Sequence, residues 1–500
     1  MRASRGVLSQ RGPRALGPWL RGLLCLAAIG CGGLPAIPSQ GGPRWLSLTS
    51  EHFVLLTDAR DGRARELSAS LERQLHALCQ LGFSCSGELR VKLRVIALAN
   101  RGQFERIYGP LYNSISAQEL LFEPLIVLSE GNATDNLVAL NRTLAVYLAS
   151  QAMGPLPAWL ARGLGAYFES ARYDTDGAFV LGGVPRQHAL WLHRHRRIPV
   201  AQLLDPNTGA NANVITPSAW LLVHYLMSER GSDFAAFQAA VASGRGLSES
   251  FHEAFHDLSP ERLDALLDRY AEDGYFTTFS KHVTAKPSEP QISALSDADV
   301  YELRAEMAAV CEDCGDDRAR EVDENIARAL ASDPTHLRAS ALSAQRAPSP
   351  GSAQLQQAEQ LVRAHPDAAL AYVQLAMLRD QANAPDRCAP ELIARLESLA
   401  PYSAYALSLR ARCAHAAGQA QSALALSKRA LSLAPNNQRL SLAHAQLLYA
   451  QHACSELAAL LERIRSNATD ASVATRLDAL TRCEAADQAD QAQKTPAREP

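Results

Sequence analysis

Aromatic side chains are scarce in this chain: Phe, Trp and Tyr together make up 6% of its 500 residues, and beyond Phe279 there is neither Phe nor Trp. A core in that part must come from Leu, Ala and Val, side chains small enough for helices to pack closely. No histidine lies between His76 and His188, so that interval offers no imidazole to a metal. Charge of one sign is not in excess either. The net charge is −3 with both signs interspersed, which leaves no nucleic-acid footprint and no polybasic membrane patch. A chain of this length is too long for one core and implies two or three domains.

Five arginines (Arg2, Arg5, Arg11, Arg14, Arg21) precede a short apolar run, Leu23 to Gly30, that ends at Cys31. The run is too short to cross a bilayer and has the length of a signal-peptide core. Gly30-Cys31 resembles the end of a bacterial lipobox, in which the cysteine is lipidated. Residues 1–31 are therefore expected to be a signal segment with Cys31 as lipid anchor, placing the protein in the cell envelope; plain secretion is the alternative. Residues 32–44, rich in Gly and Pro, are expected to be a tether.

From Trp45 onward strands and helices alternate. Phe53-Val54-Leu55-Leu56 and Leu125-Ile126-Val127-Leu128 are strand candidates, and Leu89 to Ile96 alternates with a period of two. Helical spacing marks Ala64–Leu81 and Leu137–Gln151, and Pro157 opens a further helix over Ala158–Ser170. Residues 281–298, with Pro287 and Pro290, are expected to be a linker. After it, Pro334, Pro366, Pro401 and Pro435 recur at intervals of about 34 residues, the period of tetratricopeptide (TPR) helix pairs. The expectation is an all-α solenoid over 299–483, three clear repeats with a degenerate one at each end, and a disordered tail over 484–500.

Beyond Cys31 eight cysteines remain, an even number that favours disulfides in an exported chain. Counted from the proline of each repeat, the positions of Cys388 and Cys413 add to the same number as those of Cys454 and Cys483. Facing positions on antiparallel helices of successive repeats must show such a constant, so these two pairs are expected to be disulfides. Cys79–Cys85 would close a small loop, which leaves Cys311–Cys314. The two acidic residues between the last pair disfavour a redox thiolate there.

The segment Leu156-Pro157-Ala158-Trp159-Leu160-Ala161-Arg162-Gly163-Leu164-Gly165-Ala166-Tyr167 resembles the P-x-W-L-x-E-G-L-A-x-Y stretch of gluzincin-type, peptidase-MA-like proteins. Thr216 to Leu226 is similar to a later helix of the same group, and the likeness covers about residues 45–280. It implies an α+β zincin-like N-terminal domain, and it places a zinc-binding Glu where this chain has Arg162. Where the family has H-E-x-x-H, this chain has Arg142-Thr143-Leu144-Ala145-Val146, so Arg142, Thr143 and Val146 stand in place of the two histidines and the glutamate. Arginine stays protonated and cannot ligate a metal. The two guanidiniums could bind a carboxylate, turn to solvent, or pair with Glu169 or Asp135.

The resulting expectation is a non-catalytic pseudopeptidase without cofactor, joined to a repeat array whose concave surface binds a protein or peptide, with no nucleic-acid partner. One alternative is an active zinc peptidase using His252-Glu253-Ala254-Phe255-His256, since histidines four apart share a helix face. Against it, Asp257-Leu258-Ser259-Pro260 breaks the helix at once and no third ligand is evident. A second alternative is a pure TPR scaffold with the N-terminal domain as spacer. His188, His193 and His195 are expected on a basic amphipathic helix with Leu190, Trp191 and Leu192 turned inward.

Overall fold

A computed structural model describes residues 34–83, 91–109, 114–120, 123–129, 133–205, 212–310, 316–346, 350–435, 437–464 and 471–483. The expected signal segment, Cys31, Cys85, Cys311, Cys314 and the tail 484–500 lie outside them.

The N-terminal half is built on a six-stranded mixed sheet. Its strands are β1 (Leu46–Thr49), β2 (Phe53–Thr57), β3 (Leu93–Leu98), β4 (Ser114–Leu120), β5 (Glu123–Ser129) and, from far along the chain, β9 (Gln291–Ala294). The order is β4-β5-β3-β2-β1-β9. β2, β3 and β5 run parallel, while β1, β4 and β9 are antiparallel to their neighbours. A second sheet of β6 (Arg172–Tyr173), β7 (Ala178–Leu181) and β8 (Phe279–His282) has the order β6-β7-β8.

Helices α1 (Asp61–Leu78), α2 (Arg101–Tyr108), α3 (Ala133–Met153) and α4 (Ala158–Phe168) intervene, followed by α5 (Arg186–Arg194) and α6 (Val200–Leu204). Then come α7 (Ala212–Glu229), α8 (Gly231–Ala242), α9 (Leu247–Ala254) and α10 (Pro260–Asp273). One face of the large sheet shares an apolar core with α1, α3, α4 and α7.

The rest is helix pairs: α11 (Asp297–Ala309) with α12 (Asp316–Ser332), and α13 (Leu337–Arg346) with α14 (Ser352–Ala364). They continue as α15 (Ala369–Gln381) with α16 (Pro390–Leu399), and α17 (Ala404–Ala416) with α18 (Ala420–Leu433). The last are α19 (Gln438–Ala450) with α20 (Cys454–Ile464), then α21 (Ala471–Ala479). Pro334, Pro366, Pro401 and Pro435 each sit in the turn after a second helix, where a residue without an N–H ends one pair and starts the next. These are TPR-like repeats. In two successive pairs the same device recurs: Arg395 and Arg429 donate to the carbonyls of Pro366 and Pro401, and lie over the rings of Tyr372 and Tyr402.

Disulfides join Cys388 to Cys413 and Cys454 to Cys483, tying α15–α16 to α17 and α20 to the end of the array. Cys79 is disulfide-bonded as well.

Two boundaries differ from the sequence reading. The supposed tether is packed: Leu34 and Ile37 are buried with Trp45 in a second core on the other face of the sheet, shared with α11, α12 and α13. The supposed linker 281–298 carries the second half of β8 and all of β9 and so extends both sheets; its prolines, Pro287 and Pro290, fall between the two strands. Both segments are anchored by few residues, which left no long pattern to read. β3 also departs from simple alternation, because every residue from Leu93 to Leu98 is buried. Its second face is covered by α11.

That covering is secured by charge. Arg94 of β3 donates to Glu306 (2.6 Å) and Glu302 (3.0 Å) of α11, and Arg338 of α13 donates to Glu306 (2.5 Å) and Glu302 (3.2 Å). Two guanidiniums and two buried carboxylates thus alternate in a closed ring between sheet and array.

Candidate functional site

α3 and α4 form a tight antiparallel hairpin. Gly154, with φ of +81°, ends α3, a backbone conformation that favours glycine, and Pro157 leads into α4. Gly165 lets α4 approach α3: a Cβ there would stand 2.9 Å from Arg142 Cγ and 3.3 Å from Val146 Cγ2. On the opposite face Gly163 meets α7, where a Cβ would stand 2.5 Å from Val223 Cγ2 and 2.7 Å from Ala219 O. The two glycines therefore fix the places of Arg142, Val146 and Arg162 on facing helices.

Arg142 does not stand alone. Its Nε donates to Glu169 Oε2 at 2.9 Å, and Nη2 donates to the same oxygen. Glu169 is buried just past the end of α4. Its other oxygen lies 3.1 Å from His188 Nε2 and accepts from Gln187 Nε2 at 3.3 Å. Burial opposes ionisation of Glu169, but the His188 contact and Arg142 override it and hold the carboxyl below its ordinary range. Thr143 bonds back to the Ala139 carbonyl at 3.1 Å. Arg162 keeps contact with solvent and pairs with no described residue. Crowding around it, and then the charge of Arg142, lower its pKa.

Of the options open in sequence, Arg142 pairs with Glu169 and Arg162 faces solvent; the side chain of Asp135 lies outside the described ones. The residues do not fit zinc. A guanidinium pair, a hydroxyl turned to its own helix and Val146 supply no ligand set, and among the described residues no three His, Cys, Asp or Glu side chains cluster in a way that could hold a metal.

The second candidate, His252-Glu253-x-x-His256, is split by the backbone. α9 ends at Ala254 and Phe255 leaves the helix with ψ of 42°, so His256 falls beyond the last turn. The two imidazoles do not share a continuous helical face, and Glu253 is paired with Arg245. The buried Phe255 packs against Phe237 and Phe251, which fixes this end in the core.

The His188 helix also departs from expectation. His188 is the buried residue of α5, drawn in by Glu169, while Leu190 is exposed and Trp191 stacks on His195. A histidine not singled out earlier, His224 of α7, is fully buried between Gly182 O (2.9 Å to Nε2) and Tyr270 Oη (2.9 Å to Nδ1). The carbonyl requires Nε2 to donate, so Nδ1 accepts from the phenol; burial lowers its pKa and keeps it neutral. Its only sequence signal was a polar residue in the apolar run from Trp220 to Leu226.

In the array, the first helices of the inner pairs are enclosed on every side: Ala371–Leu378 in α15 and Ala404–Leu409 in α17 are buried without interruption. The open concave surface expected from sequence is not present along these helices. A cavity of about 340 Å³ lies instead where the array meets the N-terminal half, lined by residues including Met153, Gly154, Gly244, His444, Leu460 and Arg463.

No family model matches this chain, and no curated protein matches it. Solved structures that resemble it include a human IFIT1 dimer with m7Gppp-AAAA, at 15% identity and a TM-score of 0.30. That likeness covers 54% of this chain and 65% of the other, so this chain spans less than two-thirds of its length. An IFIT1 monomeric mutant with Gppp-AAAA gives 15% identity, a TM-score of 0.31, and 73% and 74% coverage. Yeast Tom70 gives 14% identity, a TM-score of 0.24, and 73% and 77% coverage. Likenesses this remote carry no weight below; the helix-pair repeats stand on the chain's own geometry. No helix among the described residues is long and apolar enough to cross a membrane.

Proposed function

We propose that this chain is a non-catalytic binding scaffold of the cell envelope, with a zincin-like domain that has exchanged its metal for an ion pair and a TPR-like array that engages a protein partner. The observation that carries the reading is the Arg142–Glu169 pair, in which Arg142 of α3, at a position the resemblance gives to a metal ligand, is tied to a carboxylate just past the end of α4. A buried carboxylate held by His188, Gln187 and a guanidinium fixes the hairpin as a metal would, without generating a nucleophilic water. The order of strands followed by a helix pair supports the zincin-like plan, and the repeated helix pairs support a binding role. Lipid attachment at Cys31 would hold the scaffold at a membrane surface.

Zinc measured by plasma mass spectrometry on the full chain, purified without added metal, tests this. Zinc far below one per chain is expected, and a stoichiometric ion would overturn it. The anchor is tested separately with Cys31→Ser, which should move the protein from the membrane fraction to the soluble one; unchanged partitioning would remove that part of the proposal.

A further inference from the structure

The array is joined to the N-terminal half at both ends, and the two joints are built differently. At the first, β9 enters the large sheet, and sheet, α11, α12 and α13 share one apolar core. The Arg94–Glu302–Glu306–Arg338 ring lies inside it. Opening that joint would strand buried charges.

At the second joint α18 lies against α3, and two consecutive residues of α20 make most of the hydrogen bonds. Glu462 accepts from the amides of Leu247 (2.8 Å) and Ser248 (2.9 Å) and from the Ser248 hydroxyl, capping the N-terminus of α9. Arg463 donates to the carbonyls of Met153 (3.4 Å), Val241 (2.9 Å) and Arg245 (2.5 Å), the last two bracketing the end of α8 and the first ending α3. A cation thus meets two helix C-termini and an anion meets one N-terminus, each complementing the local dipole. Gln151 adds a bond to Leu433 O at 3.1 Å.

Among the described residues no apolar cluster spans this second joint. The terminal pairs keep their own cluster, the N-terminal half keeps another, and the 340 Å³ cavity lies between them. Every group that Glu462 and Arg463 satisfy is a helix-end amide or carbonyl, or a hydroxyl, which water can satisfy equally well. Among the described residues Arg463 has no carboxylate partner across the seam, so release would leave no buried counter-charge of that kind behind.

We infer that Glu462 and Arg463 form a latch, and that the terminal part of the array, α18 to α21, is a strap that releases from the N-terminal half as a unit while the first joint stays closed. Shut, the latch makes the chain a ring with enclosed inner helices; released, it opens the seam cavity and the faces of α18 and α19 that line it. The Cys454–Cys483 bridge keeps the end of the strap together during release.

Hydrogen exchange on the full chain tests this with Arg463→Met, which keeps the apolar stem and leaves Glu462 untouched. If the strap moves as a unit, the Leu247 and Ser248 amides, which Arg463 does not touch, should exchange roughly tenfold or more faster, as expected for losing charge-assisted bonds. The β3 and α11 amides should keep their rates, and the radius of gyration from solution scattering should rise. Unchanged exchange at Leu247 and Ser248 would overturn the latch, and so would acceleration of all these amides together, which would make both joints one cooperative unit. Glu462→Ala, read at the α20 amides, provides the reciprocal measurement should Arg463→Met fail to fold.

Discussion

Replacing Arg94 with Met isolates the charge ring that joins sheet to array. The side chain is only 10% exposed, and both glutamates it meets are nearly inaccessible. With Arg94 gone, Arg338 alone faces two carboxylates in a buried site. Breaking a buried pair by removing one partner costs about 3–5 kcal/mol, mostly from the uncompensated charge. Domains have only about 5–15 kcal/mol in total, so the loss should be plain in urea unfolding of the full chain, with β3 and α11 amides showing where it acts.

The sign of its pH dependence follows from the same groups. Burial, and then Glu306 beside it, push the Glu302 carboxyl up; burial also opposes ionisation of Glu306, but Arg94 and Arg338 override it and hold that carboxyl down. A glutamate raised in the folded state stabilises most when protonated, and that contribution is lost as pH rises through its folded value. Removing Arg94 raises Glu302 further and releases Glu306 upward from its lowered value, so the variant should regain more stability than the native protein as pH falls from neutral toward the ordinary glutamate range. The native ring shares that gain through Glu302 to a smaller extent, and weakens below that range as Glu306 takes its proton. Replacing all four members with apolar residues of similar volume should recover most of the loss. A loss under about 1 kcal/mol for Arg94→Met, typical of an exposed pair, would refute the reasoning. So would a variant that weakens steadily on mild acidification.

Two further outcomes follow from packing and covalent linkage. Gly163→Ala should destabilise the N-terminal half by about 1–3 kcal/mol in thermal unfolding, because the new methyl meets the Ala219 carbonyl and Val223, and backbone cannot yield cheaply; a neutral effect would mean that α4 and α7 can slide apart. Removing the Cys388–Cys413 bridge by double Ser substitution, which frees a loop of 25 residues, should cost the array about 3 kcal/mol in urea unfolding without moving the β3 amides. Loss of protection in β3 would show instead that array and sheet unfold together.

What could be read from sequence and what could not divide by the range of the interaction that decides each feature. The repeat prolines and the two inter-repeat cysteine pairs were legible because a solenoid repeats its geometry locally: each repeat meets only its neighbours, so a constant offset in sequence is a constant position in space. Arg142 and Arg162 were set facing each other by the resemblance, and the short turn that joins α3 to α4 brings their helices side by side. Arg94 shows the opposite case. In a strand read as alternating it occupied a polar position and so pointed to solvent, yet α11, 208 residues away, covers that face and supplies the carboxylates. Nothing near Arg94 announces a buried ring. The same holds for His188, whose burial is decided by Glu169 on another element, and for β9, four residues that pair with β1 far from it in sequence. Glu462 and Arg463 are an unremarkable acidic–basic pair on an amphipathic helix until the ends of α3, α8 and α9 converge on them. Long-range polar contacts of this kind carry no periodicity. They set how the two halves are joined, and therefore whether the array stands open or closed.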